Sequence, residues 1–207
     1  MKPKHAIVRE PCKTFPKCMS THPLHHTIDT ECAREQHHNY CQLLEDLGLE
    51  IIKLPPDDNY PDSCFVEDTA IVHGNKALIS RFGEETRRGE EDKVKEVLEN
   101  YFEVKTATPP ATIEGGDVIH LSNRLISGIT RRTNDLGIVQ LRKWLNVRVD
   151  TIVDRTIMHL KSYVTNIDDN TIITAKRFSD HQVLRNFHKI IVEQKDEYAC
   201  NTLTIDK

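Results

Sequence analysis

Two stretches of this 207-residue chain carry carboxylates among residues that would otherwise build strands and turns: Pro61-Asp-Ser-Cys-Phe-Val-Glu-Asp68 and Ile113-Glu-Gly-Gly-Asp117. A carboxylate taken out of water is costly unless a cation meets it. Two such clusters point to a pocket for a cationic ligand, and a planar guanidinium fits best because its donors form a rigid fork matching carboxylate geometry. Glu67 and Asp68 are adjacent and precede the apolar run Ala70-Ile-Val72, so on a strand one of the two faces inward. A half-buried strand with a polar outer face is the competing reading, since alternation alone describes both. In the second stretch, two glycines allow close backbone approach to a ligand, and a plain turn is the alternative.

Other residues offer complementary chemistry. Arg87-Arg88 and Arg131-Arg132 read as solvated surface pairs, but Arg131-Arg132 falls between a strand and a helix, where α/β folds commonly build sites. An arginine there can hold a ligand carboxylate by a bidentate pair. His159 lies in Met158-His-Leu-Lys-Ser162, inside a predicted strand. A core histidine is the ordinary reading, and a proton carrier titrating near neutral pH is the other. Cys32, His37, His38 and Cys41 share one predicted helix and include no Cys-x-x-Cys pair, so no metal site is expected. The six cysteines are expected as reduced thiols, because nothing in the chain signals secretion.

The elements that must position these residues follow from periodicity. A helix is predicted from about Glu31 to Leu47, capped by Asp29 or Thr30 and stopped by Gly48, with Ala33, His37, Tyr40, Leu44 and Leu47 inward. Leu49 to Leu54 reads as a strand. Cys64 to Val72 and Lys76 to Ser80 read as a hairpin about His73-Gly74-Asn75, followed by a helix from Arg88 to Phe102 and a strand from Glu103 to Thr106. The cycle returns with strands Val118 to Leu121 and Arg124 to Ile129, helix Asn134 to Leu145 and strand Val147 to Val153. It returns again with Ile157 to Val164, Thr171 to Thr174, a helix near Asp180 to Phe187 and Lys189 to Val192. Helix starts recur at roughly 45 to 55 residues, so a repeated strand-strand-helix-strand unit is expected. Tyr198 to Ile205 reads as the opening strand of a further unit that the remaining residues do not complete.

The bulk numbers narrow the function classes. A net charge of −4 with acids and bases intermixed argues against a nucleic-acid partner. No apolar run reaches the ~18 residues that span a bilayer, and the first residues lack a signal-peptide apolar core. A cytoplasmic location is expected.

Together these segments resemble the dimethylarginine dimethylaminohydrolase family of guanidino-group-modifying enzymes. The matching residues are Pro61-Asp-Ser-Cys-Phe-Val-Glu-Asp-Thr69, Glu114-Gly-Gly-Asp-Val118, Gly128-Ile-Thr-Arg-Arg-Thr-Asn134 and His159-Leu-Lys-Ser162. Arg34-Glu-Gln-His37 and Ala199-Cys-Asn201 also look like family positions. The resemblance implies an α/β fold, a fivefold pseudo-symmetric propeller (pentein) of ββαβ modules. About four modules would be present in a single incomplete domain, residues 1-207, with the C-terminal module missing.

It further implies hydrolysis of N-omega-methylated arginine to citrulline and dimethylamine through a covalent cysteine adduct. His159 would be the proton donor and acceptor, with Glu114 beside it among the catalytic residues. Asp68 and Glu114 would bind the guanidinium with Glu67 adjacent, Asp62 the α-amino group, and Arg87 and Arg132 the α-carboxylate. Met19 would sit on a lid. No segment matches the family's nucleophile motif Gly-Gly-Leu-Thr-Cys. Cys200 matches a non-catalytic strand position, and Cys64 has acid neighbours that oppose ionisation. The chain alone is therefore expected to be inactive. The expected partner is a small guanidino substrate, with no cofactor and a homodimer left open. An arginine deiminase or amidinotransferase-like enzyme, and an inactive guanidino-binding pseudoenzyme, are the rival readings.

Overall fold

A computed structural model describes residues 4–20 and 22–205. Its first strand, β1 (His5–Arg9), runs parallel to β2 (Glu50–Leu54), with helix α1 (Thr30–Asp46) crossing between them. Asp29 caps α1 by accepting from the backbone N–H groups of Glu31 and Cys32. Cys41 and Leu44 are its buried residues, whereas Tyr40 and Leu47 of the expected inward stripe lie exposed. The buried stripe is thus narrower than periodicity implied: Cys41 and Leu44 pack with Val8 and Leu49, flanked by Ala6, Ile51 and Ile205.

Three further sheets repeat one plan, an antiparallel hairpin followed by a parallel third strand. They are β3 (Ala70–His73), β4 (Lys76–Ile79) and β5 (Glu103–Thr106); β6 (Val118–His120), β7 (Arg124–Ile129) and β8 (Arg148–Val153); and β9 (Val164–Asn166), β10 (Thr171–Ala175) and β11 (His188–Val192). Helices α2 (Asp92–Leu98) and α3 (Asp135–Leu145) make the crossovers of the first two. Gly74, at φ +60°, makes the β3-β4 turn that the hairpin pattern predicted.

The middle sheet is buried on both faces. Val118 and Leu125 join Ile71, Leu78 and Leu141 in one core, while their neighbours Ile119 and Ile126 join Leu160, Ile172 and Leu184 in another. Alternate side chains of a strand point to opposite faces, so the sheet is a partition between two cores. Each buried aliphatic side chain contributes roughly 1.5–3 kcal/mol.

Several expected elements take different form. Cys64 to Val72 is no continuous strand: Val66–Thr69 forms a 3-10 turn ahead of β3. Ile157 to Val164 holds no strand before its last residue: a 3-10 turn occupies Leu160–Ser162 and β9 begins only at Val164. The helix expected from Arg88 to Phe102 shortens to α2, with Tyr101 exposed. Between β10 and β11 no α-helix forms; two 3-10 turns, Lys176–Phe178 and Gln182–Leu184, bury Phe178 and Leu184 instead. Gln194–Cys200 is 3-10 rather than strand, and no strand follows among the described residues. No helix among the described residues is long and apolar enough to cross a membrane.

Candidate functional site

The 3-10 turns that interrupt the expected strands carry the site. One stands at the entrance to each of the three-stranded sheets: Val66–Thr69 before β3, Gly115–Asp117 before β6 and Leu160–Ser162 shortly before β9. Asp68 lies within the first, Glu114 caps the second and His159 caps the third. Glu114 (φ −132°, ψ 143°) and His159 (φ −133°, ψ 143°) share one backbone conformation, so equivalent positions of successive units deliver an acid and an imidazole to one point.

Glycine makes this convergence sterically feasible. A Cβ on Gly115 would lie 2.0 Å from the Glu67 carbonyl oxygen, and one on Gly116 would lie 2.6 Å from Asp68 Oδ1 and 2.9 Å from His159 Cγ. The flanking backbone is fixed by its own bonds. Asn134 Oδ1, at the start of α3, accepts from Gly137 N and from Thr112 N, while Thr133 Oγ1 accepts from Glu114 N at 3.1 Å. Asp117 accepts from Leu160 N at 2.8 Å and from Thr130 Oγ1 at 2.9 Å, tying the Glu114 turn to the His159 turn. Burial pushes Asp117 up to about 6 against the opposing pull of His159.

At the centre, His159 Nε2 lies 3.0 Å from Glu114 Oε2 and 3.7 Å from Asp68 Oδ1. Burial alone would depress the imidazole. The charge of Asp68, the hydrogen bond to Glu114 and the charge of Asp117 override it and lift His159 to about 9. The surrounding carboxylates thus favour the protonated form of His159. The other carboxylate oxygens are also engaged: Gly83 N donates to Glu114 Oε1, Gly116 N to Asp68 Oδ1, and Arg87 Nη1 to Asp68 Oδ2 at 3.0 Å. Ligating atoms of Asp68, Glu114 and His159 all lie within 4.8 Å of one another. That spacing would accommodate a metal, but a protonated imidazole and an arginine already supply positive charge there.

The second group of predicted residues lies beside the first. Asp62 is buried and accepts from Met19 N at 3.1 and 3.2 Å. Burial raises its carboxyl, against Arg87, the Met19 N–H and Arg132. Arg132 is buried too; its Nη2 approaches Met19 Sδ at 3.8 Å. Its Nη1 lies 3.3 Å from Glu84 Oε1 but makes no hydrogen bond among the described residues. Burial lowers the Arg132 pKa, opposed by Asp68 and Asp62.

The eight predicted residues thus fall into one neighbourhood, with two unexpected placements. Arg87 sits at the acid end, paired with Asp68 and Glu90, rather than alongside Arg132. Glu67 turns outward, because successive residues of a 3-10 turn diverge, and meets Lys161 Nζ at 2.7 Å. Asp117, Lys161 and Glu90 complete the site without having been singled out. The first two stand inside the recognised motifs, whereas Glu90 was masked by the charged run Glu90-Glu-Asp-Lys93 that ordinarily marks an exposed helix start. Neither Cys64 nor Cys200 offers an activated thiol. Burial and the Asp62 charge push Cys64 to about 12, and burial pushes Cys200 to about 11.

The chain is similar to several known proteins. The family model for arginine deiminase matches residues 58–206. A dimethylarginine dimethylaminohydrolase of Streptomyces coelicolor is 37% identical over 177 residues, covering 84% of this chain and 69% of that relative. The enzyme of the same name from Pseudomonas aeruginosa is 28% identical over 209 residues, covering 99% of this chain and 82% of that relative. A solved structure of a Pseudomonas aeruginosa variant complexed with citrulline superposes with a TM-score of 0.95, covering 99% of this chain and 82% of that one. The N-terminal domain of ArgZ, a cyanobacterial arginine dihydrolase, shares the fold at TM-score 0.86 and 22% identity, over 97% of this chain and 80% of that one. The chain belongs to the dimethylarginine dimethylaminohydrolase family of the pentein superfamily.

Proposed function

We propose that this chain forms the guanidino-binding part of a hydrolase that converts N-omega-methylated arginine to citrulline and dimethylamine. The convergence of Asp68 and Glu114 on His159 Nε2 carries the proposal. Two carboxylates hold a guanidinium in one plane, and an imidazolium beside them can protonate the departing amine. Asp62 takes the α-amino group and Arg132, whose Nη1 makes no hydrogen bond among the described residues, takes the α-carboxylate.

In the reaction a cysteine thiolate attacks the guanidinium carbon. The carbon–nitrogen bond to dimethylamine breaks as His159 delivers its proton, leaving an S-alkylthiouronium adduct. The neutral imidazole then takes a proton from water. The oxygen adds to the same carbon, the carbon–sulfur bond breaks to restore the thiolate, and the remaining oxygen-bound proton passes to solvent as citrulline leaves. Cys64 and Cys200, with their elevated pKa values, do not fit the nucleophile's role. Neither is assigned that role.

Calorimetry of the 207-residue protein with asymmetric dimethylarginine, arginine and citrulline tests the proposal. Binding without turnover is expected. A folded protein that binds none of the three would overturn it, and citrulline formation abolished by Cys200→Ser would overturn the exclusion of Cys200 as nucleophile. Stronger binding of arginine than of its methylated form would favour an arginine deiminase-like activity instead.

A further inference from the structure

Arg87 presents, inside the protein, the same head group as the proposed ligand. Its Nη1 donates to Asp68 Oδ2 at 3.0 Å and lies 3.6 Å from Glu114 Oε2, the two carboxylates assigned to the ligand. Its guanidinium carbon stands 4.5 Å from the centroid of the Phe82 ring, which limits where the side chain can move. A ligand guanidinium can take the two acids only if Arg87 releases them. A buried arginine that gives up its counter-charges needs another.

Glu90 meets that need. It is 1% exposed and forms a fork with Arg87: Nε donates to Oε1 at 3.0 Å and to Oε2 at 3.2 Å, and Nη2 donates to Oε2 at 2.8 Å. These bonds use the edge of the guanidinium facing away from Asp68, so they can persist when Nη1 is released. Nearby Arg9, also buried, donates from Nη1 to the Glu90 carbonyl oxygen at 3.3 Å and steadies the backbone there.

We propose that Glu90 is a positioning residue: it holds Arg87 through its second edge and thereby frees Asp68 and Glu114 for the ligand's guanidinium. This inference rests on the guanidino-binding reading above. Without the Glu90 charge, Arg87 stays on the two acids and competes with the ligand. Competition of this kind weakens a cationic guanidino ligand more than citrulline, whose ureido group is neutral. A purely structural role for Glu90 would weaken both alike.

The test measures dissociation constants of dimethylarginine and citrulline for the full chain, its Glu90→Gln variant and its Glu90→Asp variant, with thermal unfolding recorded alongside. For Glu90→Gln the expected loss is roughly tenfold or more for dimethylarginine and within about threefold for citrulline. Glu90→Asp, which keeps the charge, is expected to recover most of the difference. It also supplies the reading if Glu90→Gln fails to fold, since a longer reach to Arg87 should still cost dimethylarginine more than citrulline. Equal losses for both ligands, or none for either, would overturn the role of Glu90 alone. Failure of the unaltered chain to bind either ligand would overturn the guanidino-binding reading and this inference with it.

Discussion

At the Asp68–Glu114 end of the site both oxygens of each carboxylate have partners within the protein, whereas at the Asp62–Arg132 end a buried guanidinium nitrogen goes without a hydrogen bond. The acid end is assembled from three 3-10 turns that precede three separate sheets, locked by Gly115, Gly116 and Asp117. The other end joins the Arg131-Arg132 turn to Met19 and Asp62, and Met19 is itself partly exposed. The first end is bound into the stability of the fold. The second leaves Arg132 Nη1 without a hydrogen bond among the described residues. Substitutions at the two ends should therefore separate stability from affinity.

Glu114→Ala should do the greatest harm. It strands Gly83 N, His159 and part of the Arg87 charge in a buried setting, and breaking such a network costs about 3–5 kcal/mol. Urea denaturation would reveal it, and a loss below about 1 kcal/mol would show that the acid end is not structural.

The pH dependence of stability comes next. His159 is raised to about 9 from an ordinary 6.5, so its contribution is fully present below 6.5 and is lost as pH rises through 9. It amounts to at most about 3 kcal/mol. Denaturation midpoints should fall across that window in the unaltered protein and fall less in His159→Gln. Identical profiles for the two proteins would remove His159 from the buried network.

Arg132→Met probes the opposite end. Replacing a buried, incompletely paired arginine by an apolar side chain of similar length should leave stability within about 1 kcal/mol. Affinity for dimethylarginine should drop by about 1.5–3 kcal/mol, the worth of hydrogen bonds to a charged group. Calorimetry and denaturation of the same variant check both parts, and a large stability loss with affinity intact would invert the comparison. The smallest effect is expected at the outward pair Glu67–Lys161, where Glu67 is more than half exposed. Glu67→Gln should cost about 0.2–1 kcal/mol and become indistinguishable from the parent in high salt.

What the sequence disclosed divides along similar physical lines. Helices α1 and α3 and the hairpins β3-β4 and β6-β7 were legible because each carries several residues of period 3.6 or 2, and Asp29 and Asn134 mark the helix starts, whereas β9 begins only at the last residue of the strand expected from Ile157 to Val164. The 3-10 turns were less so. Each spans three or four residues, too few to show a period; apolar neighbours such as Phe65, Val66 and Leu160 made two of them read as strands, while Gly115–Asp117 already read as a turn. The missing crossover helix before β11 has a related cause: Val183, Leu184 and Phe187 have helical spacing, but two short turns suffice to bury Leu184 and Phe178. At the site, residue types and family resemblance identified the acids, arginines and histidine. Their partners were set by three-dimensional packing, so the Arg87–Glu90 fork and the Glu67–Lys161 pair emerged only in the fold.

The central claim is that a guanidinium enters between Asp68 and Glu114 beside His159. Nuclear magnetic resonance titration of the His159 ring, with and without saturating dimethylarginine, tests it most directly. Without ligand the imidazole should titrate near 9. With ligand the added cation shares the two carboxylates and opposes protonation, so the titration should move down toward neutrality. A midpoint that stays where it was while dimethylarginine is bound would place the ligand elsewhere and contradict the account.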